Sequence, residues 1–540
     1  MKMDCGVQVV VPLADERPTH CADRIGRLYA ERVGAAYRKK MGQYLTQPSI
    51  ADLMAGFAEP VGSSISVLDP GAGTGVLACA LCERLAFEAA GSIRIHVDAY
   101  EVDPGLAELL NGVLLYLRTY LQERGHDLTF SVRVEDFVLR NSDRLRSPTG
   151  LLSEIGCAAE YDLVISNPPY FKICKADPRA AAAATVVHGQ PNIYALFMAV
   201  SACLLRPGGQ LIFITPRSYA SGPYFRVFRE MFFSKVRPRL LHVFDSRTDA
   251  FERDSVLQEN VITVARRDDG WFRRPAAVNV TISISNGTGD LDHRRERSVP
   301  VSSVLDFGTR DKVLAMPTDD YADAVKAVVH SWTGSLESYG LQISTGPVVP
   351  FRASAELLQA PASESWAPLL WMQNVRAMRV EWPVKARRKH QYIRVGPRPD
   401  MLLVPNKNYV LMRRFSSKEE HRRLVAAPLL REEIPSHWLG IENHLNYVYR
   451  VGGELTPEEV WGLAVLFNSD LLDIYFRCMN GNTQVSATEL RAIPLPPLKT
   501  LAQVGRAARE AADPTREIGS LVLRMLSGVS FFSLEGARIG

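Results

Sequence analysis

The chain has no run of about 18 uninterrupted apolar residues, the length that a membrane-crossing helix needs. Its first residues, Met1-Lys2-Met3-Asp4-Cys5-Gly6, lead only into a short apolar stretch from Val7 to Leu13, broken by Pro12. The expectation is a cytoplasmic protein with no export signal and no membrane partner. Cysteine is sparse: eight among 540 residues, at Cys5, Cys21, Cys79, Cys82, Cys157, Cys174, Cys203 and Cys478. Such scatter suits reduced thiols rather than a disulfide framework. Cys79 and Cys82 form a CxxC, but no second pair or nearby His completes a zinc site and the pair falls in a helical pattern, so no metal is expected. Internal repeats are absent, and low complexity is confined to the alanines at 180–184. What is present, 46% apolar and 23% charged residues, is ordinary for a globular protein and excludes disorder as the default.

The net charge of +4 is small, but it is unevenly spread. Between Trp371 and Val425 there are 14 Lys and Arg against 4 Asp and Glu, a local basic face that suits a polyanion; a solvated surface of snorkelling arginines is the plain alternative. Upstream, from about 20 to 300, β-branched runs alternate with amphipathic stretches, the βαβ signature of a parallel sheet. Strands are expected at Ile65–Asp69, Ile93–Val102, Leu128–Val134, Leu163–Ser166, Gln210–Thr215, Leu240–Phe244 and Val261–Ala265, with helices near Val76–Ala90, Gly105–Glu123, Ile193–Leu205 and Tyr224–Phe233. After about 270 the sequence turns polar and irregular, and a second region runs from about 310. The expected domains are 1–310 and 311–540.

Three of these strands end in residues with binding chemistry. Val67-Leu68-Asp69-Pro70-Gly71-Ala72-Gly73-Thr74-Gly75 follows a strand and opens a helix, so its glycines allow a tight turn and close approach of the backbone to a ligand. Alone, this loop suits NAD, FAD or S-adenosylmethionine equally, or no ligand at all. Glu101 and Val102 end the next strand, where a carboxylate can accept both hydroxyls of a ribose; Asp136 and Phe137 follow the third, offering a carboxylate for an adenine amine and a ring to pack on it. Together they make successive parts of an adenosine site. The fourth strand runs into Asn167-Pro168-Pro169-Tyr170. Prolines cannot continue a sheet ladder, so the chain leaves in a stiff loop that offers the Asn167 oxygen and the Pro168 carbonyl to one NH2 group and the Tyr170 ring to a flat base. That set suits methylation of a planar exocyclic amine.

With these motifs in this order, the chain resembles the γ-class DNA amino-methyltransferases that accompany restriction enzymes, over most of its length. The upstream Gly42-Gln43-Tyr44-Leu45-Thr46-Gln47-Pro48 looks like the family segment that binds the methionine end of the cofactor, and leads into a helix at Ile50 to Phe57. The resemblance implies an α/β fold: a Rossmann-like S-adenosylmethionine-dependent methyltransferase domain with a mixed, mostly parallel seven-stranded sheet, then a C-terminal α+β target-recognition domain. It implies S-adenosylmethionine as cofactor, with Thr46 near its carboxylate, Asp69, Pro70, Gly71, Gly73 and Gly75 around its methionine moiety, Glu101 and Val102 on ribose and adenine, Asp136 and Phe137 on adenine, and Asn167 at the reacting end. Asn167, Pro168, Pro169 and Tyr170 would be catalytic. Pro191-Asn192-Ile193-Tyr194-Ala195-Leu196-Phe197 is similar to the segment whose aromatic packs on a flipped base, making Phe197 the second face of a sandwich with Tyr170; Tyr194 is the other candidate, and a core helix aromatic is the competing reading.

The basic window resembles the family's target-recognition domain. Arg376, Arg379, Lys385, Arg387, Arg388, Lys389, Arg413 and Arg414 are its candidate DNA contacts, interleaved with Trp371, Trp382, Tyr392, Tyr409 and Phe415. The expected partners are double-stranded DNA and, functionally, a separate restriction endonuclease, with the protein a monomer. Glu259-Asn260-Val261 matches a tripeptide of cytosine-C5 methyltransferases, but no Pro-Cys nucleophile occurs, so it reads as the start of the last strand. Adenine-N6 methylation is the leading expectation, cytosine-N4 the chemical alternative, and a DNA-binding specificity protein with an inactive core the alternative from another class. NPPY also occurs in enzymes methylating a release-factor glutamine or a ribosomal guanine, whose resemblance stops at the catalytic half.

Overall fold

The computed structural model describes residues 10–59, 62–145, 160–244, 259–308, 311–358, 366–384, 389–416, 420–480 and 484–525. They form two compact units, Met1–Met316 and Pro317–Gly540.

The first unit opens with helices α1 (Pro18–Met41) and α2 (Pro48–Gly56), each started by a proline that needs no amide partner in the first turn. There follow β1 (Ser64–Asp69), α3 (Val76–Glu88), β2 (Arg94–Tyr100), α4 (Pro104–Gln122), β3 (Asp127–Arg133), α5 (Phe137–Asn141), β4 (Tyr161–Ser166), α6 (Pro178–Ala182), α7 (Ile193–Leu204), β5 (Leu205–Pro216), α8 (Arg226–Lys235), β6 (Val236–Phe244), β7 (Asn260–Arg267), β8 (Asn279–Ser285) and β9 (Arg295–Pro300). The strands build one sheet in the order β3-β2-β1-β4-β5-β7-β6-β8-β9. β1 to β5 run parallel, and β7 lies antiparallel between β5 and β6. The sheet is therefore Rossmann-like and mixed, but among the described residues it has nine strands, not seven. The missing pair is β8, parallel to β6, and β9, antiparallel to β8. Asn260 does open a strand, but not the last one.

Helices cover both faces, which is why the central strands are apolar throughout rather than alternating. All six residues of β4 are buried. α7 and α8 pack on one face around Leu196, Phe213 and Phe232, and α2, α3 and α4 on the other around Val67, Leu81 and Leu114. Cys79 and Cys82 lie fully buried on α3 as free thiols, and burial pushes both up. Cys5 and Cys157 lie outside the described residues. Among the described residues no helix is long and apolar enough to cross a membrane, and no group of three or more His, Cys, Asp or Glu could hold a metal ion.

The chain visits β1, β2 and β3 outward and then returns to place β4 on the other side of β1. At that reversal the loops after β1 and β4 diverge and leave a crevice at the carboxyl edge, where open α/β sheets bind ligands.

The second unit contains a four-stranded antiparallel sheet, in spatial order Leu341–Thr345, Leu445–Arg450, Tyr409–Arg413 and Ala426–Leu429, and a five-stranded sheet whose centre is Trp366–Leu370. Helix Pro457–Phe467 packs against Leu498–Glu510.

Candidate functional site

β1 delivers Asp69 to the sheet edge, and Pro70 to Gly75 turn the chain into α3. Gly73 and Gly75 have φ of +56° and +87°, the left-handed region that glycine enters without a Cβ clash. The Gly73 amide donates to Glu101 Oε2 at 3.1 Å and the Asp103 amide to Glu101 Oε1 at 2.9 Å, so the carboxylate at the end of β2 ties the glycine loop to the start of α4. Each oxygen keeps a lone pair for a further donor. Asp103 caps α4 through Leu106 at 2.9 Å and accepts from Tyr29 and Tyr37 of α1 at 2.8 and 2.7 Å.

Between these loops lies a cavity of about 370 Å³, with Pro70, Gly71, Gly73, Glu101, Val102 and Asp136 on its wall. Phe137 and Phe197 also line it, their ring centres 5.2 Å apart and tilted by 42°. Burial pushes the Glu101 carboxyl up to about 7, against the pull of the Asp103 and Gly73 amides. Asp136 caps α5 through Leu139 at 3.0 Å and lies 3.8 Å from Arg179. A two-oxygen acceptor, flat apolar rings and bare backbone around a space of this size fit an adenosyl group.

Three expected members stand elsewhere. Asp69 is fully buried beneath the loop and off the cavity wall; burial pushes its carboxyl up to about 8, against the pull of the Gly71 and Ala78 amides. Gly75 faces α4, where a Cβ would stand 2.8 Å from Leu110. Thr46 is 5% exposed and also off the wall; its hydroxyl accepts from Asn167.

β4 delivers Asn167 beside the glycine loop, because β4 pairs with β1 in register (Val67 with Leu163, Leu68 with Val164). Asn167 and Pro169 line the same cavity. The Asn167 amide donates to the Tyr44 carbonyl at 3.0 Å and to Thr46 Oγ1 at 3.1 Å, while its oxygen receives the Tyr170 hydroxyl at 2.5 Å. That hydroxyl also lies 3.0 Å from the Ile214 carbonyl on β5. Tyr170 is 7% exposed, and burial pushes its phenol well up.

Tyr170 and Phe197, expected as the two faces around a flipped base, each pack on other rings. The Tyr44 ring stacks on Tyr170 with centres 5.3 Å apart at 26°, and Tyr194 meets it edge-on at 6.2 Å. Phe197 instead faces Phe137 and Gly71, because on α7 it lies beneath the β1 loop. Tyr194 is a core residue, fully buried, with its hydroxyl 2.6 Å from Ser218. Sequence reasoning gives Gln43 and Tyr44 no role of their own and misses Tyr29, Tyr37 and the cavity-lining Lys40 and Arg179. The one signal for most of them is closeness to GQYLTQP.

In the second unit, Lys385, Arg387 and Arg388 lie outside the described residues. Arg376 and Arg379 are exposed and both pair with Glu381. Lys389 stands 4.2 Å over the Trp371 ring; Arg413 and Arg414 donate to the Val375 and Asn443 carbonyls at 2.8 and 2.9 Å. Trp371 and Tyr409 are buried, donating to the His390 and Pro405 carbonyls, so neither presents a ring for stacking on bases. Burial wins because Tyr409, at the start of its strand, and Trp371, just past the end of Trp366–Leu370, both pack into apolar clusters.

Residues 131–251 match the family described as Eco57I restriction-modification methylase. The chain is similar to the Type II methyltransferase M.PstI of Providencia stuartii, 32% identical over 467 residues, 86% of this chain and 89% of that protein. It is 32% identical to the Type II methyltransferase M.BsuBI of Bacillus subtilis over 476 residues, 87% and 90% of the two chains. A solved type I restriction-modification methyltransferase subunit from Streptococcus thermophilus aligns with 56% of each chain at 13% identity, with a TM-score of 0.34.

Proposed function

We propose, for a chain that belongs to the Type II methyltransferases of restriction-modification systems, that it methylates the N6 amine of an adenine flipped out of double-stranded DNA and protects that DNA from a separate endonuclease. Its cofactor is S-adenosylmethionine, which supplies an electrophilic sulfonium methyl. The observation that carries the reading is the single cavity in which the glycine loop and Glu101 meet Asn167 and Pro169. Glu101 would take the ribose hydroxyls, Phe137 the adenine face and Asp136 its amine, leaving the methyl at the Asn167 end.

The target amine is a weak nucleophile because its lone pair is delocalised into the ring. Acceptors at Asn167 Oδ1 and the Pro168 carbonyl draw its hydrogens out of plane and turn the lone pair toward the methyl. Alignment is then the main contribution, and no covalent enzyme intermediate is required. Extrusion of the base costs about a few kcal/mol, offset by stacking and backbone contacts. The Tyr170 face that Tyr44 covers is where the base stacks, so Tyr44 gives way on its arrival. Exposed cations of the second unit, Arg376 and Arg379 among them, supply phosphate contacts.

The test is methyl transfer from labelled cofactor to unmethylated bacterial genomic DNA, followed by hydrolysis to nucleosides. N6-methyl-2′-deoxyadenosine is expected; N4-methyl-2′-deoxycytidine alone overturns the base assignment, and DNA binding without transfer overturns the enzyme reading. Asn167→Ala should lose about 100-fold or more in kcat while keeping cofactor affinity within a few-fold.

A further inference from the structure

An asparagine side chain presents an oxygen on one side and an NH2 on the other, nearly the same in shape. Only the oxygen can receive the hydrogens of a substrate amine; turned by half a revolution about Cβ–Cγ, the group would oppose donor to donor. Neighbours must therefore choose the orientation. The Tyr44 carbonyl has no proton to give, so the group facing it at 3.0 Å has to be the nitrogen. The second hydrogen of that nitrogen reaches Thr46 Oγ1 at 3.1 Å, a buried contact between residues 121 apart in sequence. Across the amide, Asn167 Oδ1 holds the Tyr170 hydroxyl and keeps a second lone pair. Thr46 itself does not line the cavity.

From this geometry we infer that Thr46 is a positioning residue for methyl transfer: with the Tyr44 carbonyl it consumes both Asn167 N–H groups and so fixes the amide with its oxygen toward the substrate amine. The inference rests on the reading of Asn167 as the amine acceptor. Without the Thr46 oxygen, one buried N–H loses its partner and the Tyr44 carbonyl alone is left to hold the amide in place. The cofactor cavity keeps its wall. The loss should fall on kcat, not on cofactor binding, and a serine, which retains the oxygen, should restore the rate.

The experiment compares full-length wild type, Thr46→Val and Thr46→Ser in methyl transfer to unmethylated genomic DNA, with S-adenosylhomocysteine binding followed by calorimetry. Thr46→Val should lower kcat about tenfold or more, short of the ~100-fold that a one-ångström misplacement costs, with cofactor KM and S-adenosylhomocysteine affinity within about threefold; Thr46→Ser should recover most of the rate. Should thermal melting show Thr46→Val unfolded, Thr46→Ala is read in its place. Unchanged kcat in the valine or alanine variant overturns the inference while leaving the proposed reaction intact. A loss confined to cofactor KM and affinity also overturns it, returning Thr46 to the cofactor carboxylate. A wild type that binds S-adenosylhomocysteine and transfers no methyl to DNA overturns both.

Discussion

At the scale of single residues, two buried carboxyls near one another predict opposite things. Glu101 lines the cavity and its carboxyl is pushed up to about 7, so it is ionised above that pH and protonated below it. Ribose hydroxyls donate better to the ionised form. Affinity for S-adenosylhomocysteine should therefore be full above about pH 7 and fall as pH drops through it, by up to about tenfold per unit; Glu101→Gln should weaken binding and flatten the profile, read by calorimetry from pH 5.5 to 8.5. Asp69 is sealed off, with its carboxyl pushed up to about 8. Its folded value lies above the unfolded one, so its stabilising contribution is present below about pH 4 and is lost as pH rises toward 8. Asp69→Asn should gain stability on wild type across that window in urea melts and hold cofactor affinity within about threefold. An Asp69→Asn protein that loses the cofactor as Glu101→Gln does would put Asp69 back on the cavity wall.

At the scale of elements, strand and helix positions were legible where apolar periodicity and turn residues coincided. The expected Ile65–Asp69 appears as Ser64–Asp69 and the expected Ile193–Leu205 as Ile193–Leu204. β8 carried a readable alternation, with Val280, Ile282 and Ile284 all buried, but it stood in a stretch read as irregular. β9 had little signal, because an edge strand buries little; of Arg295–Pro300 only Val299 is buried. Helix contacts were not legible at all. Gly462 on Pro457–Phe467 and Gly505 on Leu498–Glu510 meet backbone to backbone: a Cβ at Gly462 would strike the Leu501 carbonyl, and one at Gly505 the Glu458 carbonyl. Gly462→Ala should destabilise by roughly 2 kcal/mol or more in denaturant titration, although alanine is the better helix former by about 1 kcal/mol. A stabilised variant would mean that these helices do not touch there.

At the scale of the whole molecule, charge acts over distances that no single side chain covers. If the second unit holds DNA by its exposed cations, Arg376→Ala with Arg379→Ala should weaken DNA binding at about 0.1 M salt and reduce the slope of log K against log salt by about 0.9 for each phosphate that the two arginines neutralise. S-adenosylhomocysteine affinity should be untouched. An unchanged slope would show that these two arginines serve Glu381 and nothing else. The buried Arg423, fully enclosed with its Nε on Ser416 at 3.0 Å, shows why net charge in a window overstates such a face.

The sequence by itself determined the order of strand-end loops and the chemistry of each: glycines after β1, carboxylates after β2 and β3, an amide and two prolines after β4. These are local matters of backbone freedom, apolar periodicity and donor or acceptor type. Only the tertiary structure decided that β4 returns beside β1, so that Asn167 reaches the glycine-loop cavity, that Tyr44 and Thr46 use both Asn167 N–H groups, that Tyr44 stacks on Tyr170, and that Asp69 is sealed away. Each of those depends on which side chains meet across more than a hundred residues or across a sheet. Strand register and packing settle that, and no neighbouring residue in the sequence records it.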